Sequence, residues 1–330
     1  ASSAGVVKIG LIGAGNHTKD KLLPAIRKNK FASVRAVCTG TGISAKVTAD
    51  KEYADYCVTN YEEIILDEKI DAVVIGTRHD NHAEIVIAAL QKGKHVFVEK
   101  PLCLSLKELA KIDEVFLEAA KQGLTLQVGF NRRHSEHARR IRDFFSSRNN
   151  PLTMIYRVNA GSISPDHWSQ DRAIGGGRII GEACHFVDFM QYIVGADPVS
   201  VFSFDVGSHD SGITNDKSVT NIKFADGSVG ALVYCGDGDK SLAKERFEAF
   251  SDGKSVVLDD FKKTDFYGKG RKVTFKTRRI DKGFSREMDH FISGITGEFS
   301  YSLYQQAYKA TLATLLAESS MSSKQCYELK

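Results

Sequence analysis

Apolar and polar residues alternate over the first 128 positions in a pattern that predicts strands and helices in turn. Short apolar runs, typical of buried strands, are separated by stretches in which apolar residues recur every three or four positions. One helical stretch begins at Ser105 and carries Glu108 three residues later, which predicts a capping box. This alternation predicts a doubly wound α/β domain, a parallel sheet with helices on both faces. The strand candidates are VVKIGLIG, SVRAVC, AVVIGT, HVFVE and LTLQVGF.

The pattern changes after about residue 150, where strand-like segments follow one another without helices between them. Asp226-Gly227 separates two of these segments and predicts a hairpin, so we expect a mainly antiparallel sheet. We therefore predict one domain over 1–128 and a second, α+β domain over 129–330. Helices are expected near 283–296 and 301–319, the last of them free to pack back on the first domain. The strand-like segments are PVSVFSFDV, SVTNIKF, SVGALVYC, RFEAFS and SVVLDD.

Composition narrows the class of protein. The 330 residues, 42% hydrophobic and 26% charged, are typical of a globular chain with two domains. No apolar run reaches the length of a membrane span and no secretory leader is evident, so we expect no membrane partner and a cytoplasmic location. The six cysteines form no Cys-x-x-Cys pair, which argues against a metal site and a disulfide framework. The charge of +4 is mild, and we interpret RRHSEHARRIR as a solvated helix face, with no nucleic-acid partner.

A glycine turn follows the first predicted strand. In VVKIGLIGAGNHT, Gly13 permits a tight turn, and Gly15 lets the backbone approach a pyrophosphate beside Asn16, at the start of the next helix. Thr18 occupies the position of the third glycine in the pattern Gly-x-Gly-x-x-Gly. A tight turn without a ligand is the alternative, but the place of this turn after a first strand favours dinucleotide binding.

The end of the second strand bears on the choice between NAD and NADP. A carboxylate here usually hydrogen-bonds the adenosine ribose of NAD. This chain has the sequence CTGTG from Cys38, without a carboxylate. The hydroxyl of Thr39 and nearby backbone N–H groups could accept a 2′-phosphate, with Lys46 close in sequence. Either NADP or NAD therefore fits as the cofactor.

Four further motifs follow in a characteristic order: TRHDNHAE from Thr77, VEKPL from Val98, GFNRR from Gly129, and GGGRIIGEACHFVDF from Gly175. Together with the glycine turn, they resemble the Gfo/Idh/MocA family, which includes glucose–fructose oxidoreductase and inositol dehydrogenase. In detail the chain is similar to the module that some bacterial proteins carry behind a zinc-alcohol-dehydrogenase-like module, a fused dehydrogenase module not present in this chain. The resemblance implies an N-terminal Rossmann domain and a C-terminal domain with an open, mainly antiparallel sheet. It also implies a homo-oligomer, a dimer or tetramer, formed through sheet faces.

The resemblance implies roles for individual residues. Lys100, the lysine of Glu-Lys-Pro, is expected to contact substrate and nicotinamide ribose, with Glu99 orienting it or the cofactor. His185 matches the family's histidine, whose proton affinity near neutral pH suits taking a proton from an alcohol. The stretch after the fourth strand supplies cofactor-binding candidates by the nicotinamide ribose, although the last could instead cap its helix. These candidates are Thr77, His79 and His82.

The segment around His185 departs from the family's pattern. The family's aspartate four residues earlier is replaced by Gly181, and Glu182 stands one position late, about 100° away around a helix. Either Glu182 pairs with His185 from another side, or His185 works with Lys100 alone; a core histidine is the further alternative. Asp188 is expected to anchor the helix. Besides Glu182, the substrate-binding candidates are Asn131, Arg132 and Trp168.

Two functions stay open at this point. The first is an NAD(P)-dependent oxidoreductase that transfers hydride between the cofactor and a hydroxyl or carbonyl of a sugar, sugar nucleotide or cyclitol. The presence of both Lys100 and His185 favours it. The second is a dinucleotide-binding sensor without turnover on the same fold, which Gly181 and the missing third glycine keep open.

Overall fold

The computed structural model describes residues 5–207, 216–297 and 301–329, which contain two sheets and nine α-helices. The strands are β1 (Val7–Ile12), β2 (Ala32–Cys38), β3 (Tyr56–Val58), β4 (Ala72–Ile75), β5 (His95–Val98), β6 (Leu126–Val128), β7 (Thr153–Asn159), β8 (Pro198–Asp205), β9 (Lys217–Phe224), β10 (Val229–Cys235), β11 (Glu245–Ser251), β12 (Lys254–Asp259), β13 (Lys263–Gly268), β14 (Arg271–Lys276) and β15 (Tyr327–Glu328). The α-helices are α1 (Leu23–Lys28), α2 (Gly42–Glu52), α3 (Tyr61–Leu66), α4 (His82–Gln91), α5 (Leu106–Lys121), α6 (Glu136–Phe145), α7 (Cys184–Val194), α8 (Phe284–Thr296) and α9 (Tyr301–Ser323).

The chain separates into two compact units. One contains the residues up to Gly129 together with Phe284–Tyr308, and the other contains Phe130–Gly283 and the residues from Lys309 onward. Helix α9 therefore contributes its first residues to one unit and the rest to the other. No helix among the described residues is long and apolar enough to span a membrane.

The first unit is built on a parallel sheet with the strand order β3-β2-β1-β4-β5-β6. Strand β4 is buried at every position, as expected for a strand covered by helices on both faces. The capping box predicted at Ser105 is present: its side chain accepts from the Glu108 N–H, and the Glu108 carboxylate accepts from the Ser105 N–H. The α/β prediction is confirmed. Strand β3 was not predicted, because three half-buried residues carry no periodicity.

The second unit contains a nine-stranded sheet in the order β14-β13-β12-β11-β7-β10-β9-β8-β15. Its neighbouring strands are antiparallel except for β7 and β10, so the mainly antiparallel prediction is confirmed. The predicted Asp226-Gly227 turn joins β9 to β10, with Gly227 at φ +90°. Aromatic side chains of α7 cover one sheet face, where the Phe189 ring lies 5.0 Å from that of Phe247.

Several strands of this sheet were not predicted: β7, β13, β14 and β15. Strand β14 is almost entirely exposed, and three of its six residues, Arg271, Lys272 and Lys276, are charged, so only Val273 and Phe275 indicate an apolar face. In β7, the buried Met154, Tyr156 and Val158 alternate with Ile155 and Arg157 on the other face, a strand pattern that the prediction missed. The pairing of β7 and β15 depends on strands distant in sequence, whereas β13 and β14 form a local hairpin.

Candidate functional site

The carboxyl ends of the first unit's parallel strands form one edge at which the loops are joined by backbone hydrogen bonds. Gly13 N–H donates to the Cys38 carbonyl at 2.9 Å, Gly76 N–H to Ile12 at 2.8 Å, and Glu99 N–H to Ile75 at 2.9 Å. The strand order reverses at β1, with β2 on one side and β4 on the other. In open α/β sheets, such a reversal marks the crevice in which ligands bind.

The glycine turn after β1 has room for a ligand only on one side. Gly13 has φ +92°, and a Cβ on it would lie 2.5 Å from the carbonyl carbon of Gly76. A Cβ on Gly15 would meet no atom within 4 Å, and Gly15 is exposed. The helix begins directly after it, at Asn16, so its unpaired N–H groups face this space. The turn therefore fits a pyrophosphate, as the glycine pattern predicts.

The missing third glycine is compensated by a glycine on the neighbouring loop. Thr18, at that position, is buried, and its hydroxyl occupies the place that a Cβ on Gly76 would take. A π-helical turn over Thr18–Leu22 then leads into α1, whose second residue is Pro24. Close packing of helix on strand, the role of the third glycine, is thus achieved by Thr18 against Gly76.

The polar side chains after β2 bond to groups of the same loop and of α2. Thr39 is only 8% exposed, and its hydroxyl donates to the Thr41 carbonyl at 2.8 Å. Thr41 caps α2 by accepting from the Ser44 N–H at 3.4 Å. Lys46 pairs with Asp50 at 2.5 Å on the exposed face of α2. The Thr39 hydroxyl hydrogen is therefore committed to the backbone, so it cannot be donated to a 2′-phosphate.

The Glu-Lys-Pro loop after β5 is held from two sides. The Glu99 carboxylate, 9% exposed, lies 3.1 Å from Nε2 of His17 in the helix that follows the glycine turn. The Lys100-Pro101 peptide is cis, and Lys100 is partly exposed. His17 was missed by the sequence reasoning, because a contact across 82 positions leaves no local signal.

His82 is buried and braces this loop. Its Nδ1 lies 2.7 Å from the Pro101 carbonyl, an arrangement in which the ring N–H donates. The ring is 0% exposed, and burial lowers the pKa of His82 despite that hydrogen bond and the nearby charge of Glu99. The expectation that His82 contacts the nicotinamide ribose is corrected accordingly, since the side chain has no accessible surface.

Thr77 and His79 keep accessible surface on the loop after β4. Thr77 donates its hydroxyl to the Arg78 carbonyl at 3.1 Å, and His79 begins a 3₁₀ turn over His79–Asn81. Both are partly exposed, as is expected of residues that meet a bound ligand. They remain cofactor-binding candidates.

In the second unit, His185 lies on a helix that the glycines introduce. Gly176 and Gly177 have φ +74° and +76°, values that residues with a side chain rarely adopt. A π-helical turn over Ile179–Ala183 then precedes α7. His185 is 6% exposed, with its ring centroid 6.1 Å from that of Phe130. The glycines are thus needed for the backbone path that leads into this helix.

Glu182 is bound by three side chains of the second unit. Its carboxylate accepts from the Tyr234 hydroxyl and from Lys244 Nζ, the latter at 2.5 Å, and Arg178 lies 3.6 Å away. Burial raises the pKa of Tyr234 well above its usual range, and the negative charge of Glu182 raises it further. These partners, 52 and 62 positions away for Tyr234 and Lys244, were not predicted.

Arg132 and Asn131 are not available to a substrate. Arg132, 5% exposed, forms two hydrogen bonds of 2.8 Å with Glu245, whose carboxylate also accepts from Tyr156 at 2.7 Å and Lys282 at 2.6 Å. Burial alone would raise the pKa of Glu245, but the charges of Arg132 and Lys282 lower it strongly. Asn131, 2% exposed, donates to the Lys282 carbonyl at 2.8 Å. Both substrate-binding assignments are corrected to structural ones.

Two other residues of this region have simple surroundings. Asp188 is 0% exposed and forms a two-bond ion pair with Arg133, which anchors α7 as expected. Trp168 is partly exposed, with its ring centroid 5.7 Å from that of His167. Trp168 therefore remains a substrate-binding candidate. Within the described ranges, no group of three or more histidine, cysteine, aspartate or glutamate side chains could hold a metal ion.

The six-stranded parallel sheet and the glycine turn after its first strand define a Rossmann-type domain. The model of the GFO/IDH/MocA oxidoreductase family with an NAD-binding Rossmann fold matches residues 7–130, and that of the GFO/IDH/MocA C-terminal domain matches residues 151–252. The chain belongs to the Gfo/Idh/MocA family.

Relatives and solved structures agree with this membership. The chain is 26% identical over 343 residues to the myo-inositol 2-dehydrogenase of Thermotoga maritima, covering 99% of this chain and 97% of that protein. It is 24% identical over 300 residues to the uncharacterized oxidoreductase YrbE of Bacillus subtilis, covering 87% and 85%. A levoglucosan dehydrogenase in complex with NADH and levoglucosan has the same fold, with a TM-score of 0.82, 20% identity and coverage of 98% and 99%.

Proposed function

We propose that this chain is an NAD(P)-dependent dehydrogenase or reductase acting on a CH–OH group of a cyclitol or sugar. The observation that carries the proposal is Lys100, which follows β5 at the same sheet edge as the glycine turn. The names of the similar proteins support the substrate class. They include a myo-inositol 2-dehydrogenase, a 1,5-anhydro-D-fructose reductase of Ensifer adhaerens and a levoglucosan dehydrogenase. All three names refer to polyhydroxylated rings.

The nicotinamide dinucleotide would be held by residues of the first unit. Gly13, Gly15 and Asn16 would bind its pyrophosphate through the backbone, and Thr77 and His79 would meet the nicotinamide ribose. When bound, this cofactor accepts or supplies the hydride. Because the Thr39 hydroxyl donates to Thr41, recognition of a 2′-phosphate would depend on backbone N–H groups.

The protein itself would remove the proton of the reacting hydroxyl. We assign its removal to His185, because a neutral imidazole nitrogen can accept a proton, and we assign to Lys100 a hydrogen bond to the hydroxyl oxygen. As the C–H bond breaks with departure of hydride, the O–H electrons form the carbonyl and the proton stays on His185. Lys100 stabilises the negative charge that develops on the oxygen.

Glu182 is proposed to bind substrate hydroxyls as part of a charged cluster. Its side chain is 18% exposed and that of Lys244 is 37% exposed, so both offer polar atoms at an accessible surface. Tyr234 and Arg178 fix the carboxylate from the buried side. A ring hydroxyl could donate to Glu182 and accept from Lys244 at the same time.

Turnover of a substrate panel tests the function. NAD and NADP reduction would be followed with myo-inositol, levoglucosan and nucleotide sugars, and NADH and NADPH oxidation with 1,5-anhydro-D-fructose. We expect Lys100→Ala and His185→Ala each to lower kcat about 10²–10⁴-fold with little change in dinucleotide affinity.

Lys107→Ala, a change at an exposed lysine of α5, is the matched control and should retain full activity. Dinucleotide binding without turnover of any member of the panel would instead favour the sensor. Unchanged kcat in both variants would refute the assigned roles.

We also propose that the chain forms homo-oligomers through the open face of the nine-stranded sheet. Large apolar side chains are exposed on its strands: Ile155 is 42% exposed, Phe204 53% and Val219 36%. Exposed apolar area of this kind is typical of interfaces. Light scattering should give a mass above that of one chain, and Ile155→Glu with Phe204→Glu should reduce it to that of one chain. A wild-type monomer would contradict the proposal.

The location of the protein and its fusion to a second module are also proposals. A cytoplasmic location is supported by the six cysteines, which form no Cys-x-x-Cys pair and suit a reducing compartment. A fused dehydrogenase module rests on the resemblance alone.

A further inference from the structure

Positive charge is concentrated in one segment of the second unit. Residues 262–282 contain nine lysine and arginine residues and two aspartates, a net charge of +7 in 21 residues. The whole chain carries +4, so the rest of it sums to −3. This segment includes β13 and β14, which form a hairpin with a two-residue turn at Lys269 and Gly270.

A groove of about 1010 Å³ lies where this hairpin passes α6. The groove has an apolar lining that includes Phe144, Phe266, Val273 and Phe275. Val273 is 65% exposed, an unusual value for valine on a strand of a sheet. One end is closed by Lys254, whose Nζ donates to the Phe144 carbonyl at 3.0 Å. Large, exposed apolar surfaces of this kind are typical of interaction sites.

The rim of the groove is basic. Arg139 and Arg140 of α6 stand on one side, the latter 4.2 Å above the Phe275 ring and bonded to Glu136. Lys269 and Arg271 stand at the hairpin end, and they form no ion pair within the described part of the chain. Their charges are therefore available to a partner.

Protection against aggregation explains only part of this charge. Lysines on edge strands discourage pairing with other chains, and Lys272 and Lys263 both pair with Asp265. By strand alternation, these two side chains lie on the face opposite Arg271, Val273 and Phe275. Arg271, Val273 and Phe275, which line the groove, thus form a surface separate from these ion pairs.

We propose that this groove binds an acidic, extended segment of a partner protein, which adds to the outer edge of β14. Among the described residues, β14 pairs only with β13, so alternate backbone N–H and C=O groups on its other side have no strand partner. An extended peptide can bond to these groups, place apolar side chains on Val273 and Phe275, and direct carboxylates to Lys269 and Arg271.

The lining favours a peptide over a nucleic acid. Asp143 and Asp252 also line the groove and would repel a continuous phosphate backbone. A nucleic acid, moreover, has no groups that match the hydrogen-bonding edge of a strand. Separate carboxylates on a peptide can avoid both aspartates while meeting the cations.

Selection from a random peptide library displayed on phage tests the proposal. The protein would be immobilised at physiological salt, and the selected peptides would be synthesised with a fluorescent label. We expect enrichment of peptides that combine aspartate or glutamate with apolar residues at alternate positions. Lys269→Glu with Arg271→Glu should weaken their binding about tenfold or more, because like charges would then face each other.

Lys69→Glu with Lys107→Glu makes the same change in net charge at exposed positions of the first unit and should leave affinity unchanged. Val273→Ser should also weaken binding, as should N-methylation of alternate peptide bonds in the ligand. Far-UV circular dichroism and thermal unfolding would verify that each variant is folded.

Three results would overturn the proposal: no acidic enrichment, equal affinity in the groove variant and the control variant, or displacement of the peptide by single-stranded DNA at lower concentration. The last would assign the groove to nucleic acid.

Discussion

At the scale of single residues, His82 has a structural role, because it has no exposed surface with which to contact a ligand. It is fully buried at the start of α4, yet its Nδ1 meets the carbonyl of the residue that follows Lys100. It is therefore a positioning residue for the Glu-Lys-Pro loop.

We predict that His82→Leu lowers kcat by up to about 100-fold with little change in dinucleotide affinity, because Lys100 would lose its fixed placement. Because the buried Pro101 carbonyl would then lack a hydrogen-bond donor, the free energy of unfolding should also fall by about 1–3 kcal/mol. His82→Asn, whose amide N–H can replace Nδ1–H, should recover most of both. Steady-state kinetics and urea unfolding measure these effects. Equal loss of activity in both variants would argue against the hydrogen bond as the cause.

Gly13 and Gly15 are two residues apart but are glycines for different reasons. Gly13→Ala places a Cβ against the Gly76 backbone at a φ of +92°, so we expect a loss of about 1–3 kcal/mol in the free energy of unfolding. Gly15→Ala should leave the unfolding free energy unchanged and weaken NAD(H) or NADP(H) binding, because its Cβ points into open space. Thermal unfolding and nicotinamide fluorescence titration distinguish the two. Unaltered cofactor affinity in Gly15→Ala would refute the pyrophosphate site.

At the scale of elements, the helix that carries His185 is held by packing and by one buried ion pair. Arg133 precedes α6 and reaches Asp188 in α7, with side-chain exposures of 5% and 0%. Such a pair stabilises little relative to apolar residues, but either member alone is costly to bury.

We therefore predict that Arg133→Met or Asp188→Leu alone lowers the free energy of unfolding by about 3–5 kcal/mol, whereas the double variant recovers much of that loss. Urea unfolding of the four proteins in a double-mutant cycle gives the coupling. Additive effects of the two substitutions would show that the pair does not anchor α7.

At the scale of the whole molecule, two carboxyl groups of the second unit link stability to pH. Burial opposes ionisation of both Glu245 and Asp265, but neighbouring cations prevail. Arg132 and Lys282 lower the pKa of Glu245, and hydrogen bonds from Lys263, Thr274 and Lys272 lower the pKa of Asp265 to about 2. The folded-state pKa values thus lie below the unfolded ones.

A lowered folded-state pKa contributes stability that is complete above the unfolded pKa and is lost as pH falls through the folded one. We expect the free energy of unfolding to fall from about pH 4.5 downward toward pH 2. Glu245→Gln should be less stable at neutral pH and flatten this dependence, while Glu118→Gln, at an exposed position of α5, should not. Urea unfolding across this range measures the slope. A free energy that rises as pH falls would contradict the linkage.

Local signals account for most of what could be predicted. The capping box at Ser105, the hairpin at Asp226-Gly227, the glycine turn at Gly13 and the alternation of strands and helices each depend on residues close in sequence. Contacts between such neighbours follow from backbone geometry, so the sequence by itself determined the α/β class, the family and the glycine turn.

Only the tertiary structure decided which polar residues are free to act. Arg132 and Asn131 follow a strand end, as site residues do, but Glu245, 113 positions from Arg132, and the Lys282 carbonyl occupy their polar groups. Likewise, Tyr234 and Lys244 reach Glu182 through the order of strands around β7, and His17 reaches Glu99 across the sheet edge. Such partners are brought together by strand order and register, which depend on how the entire chain buries its apolar faces, and no short stretch of residues contains that information.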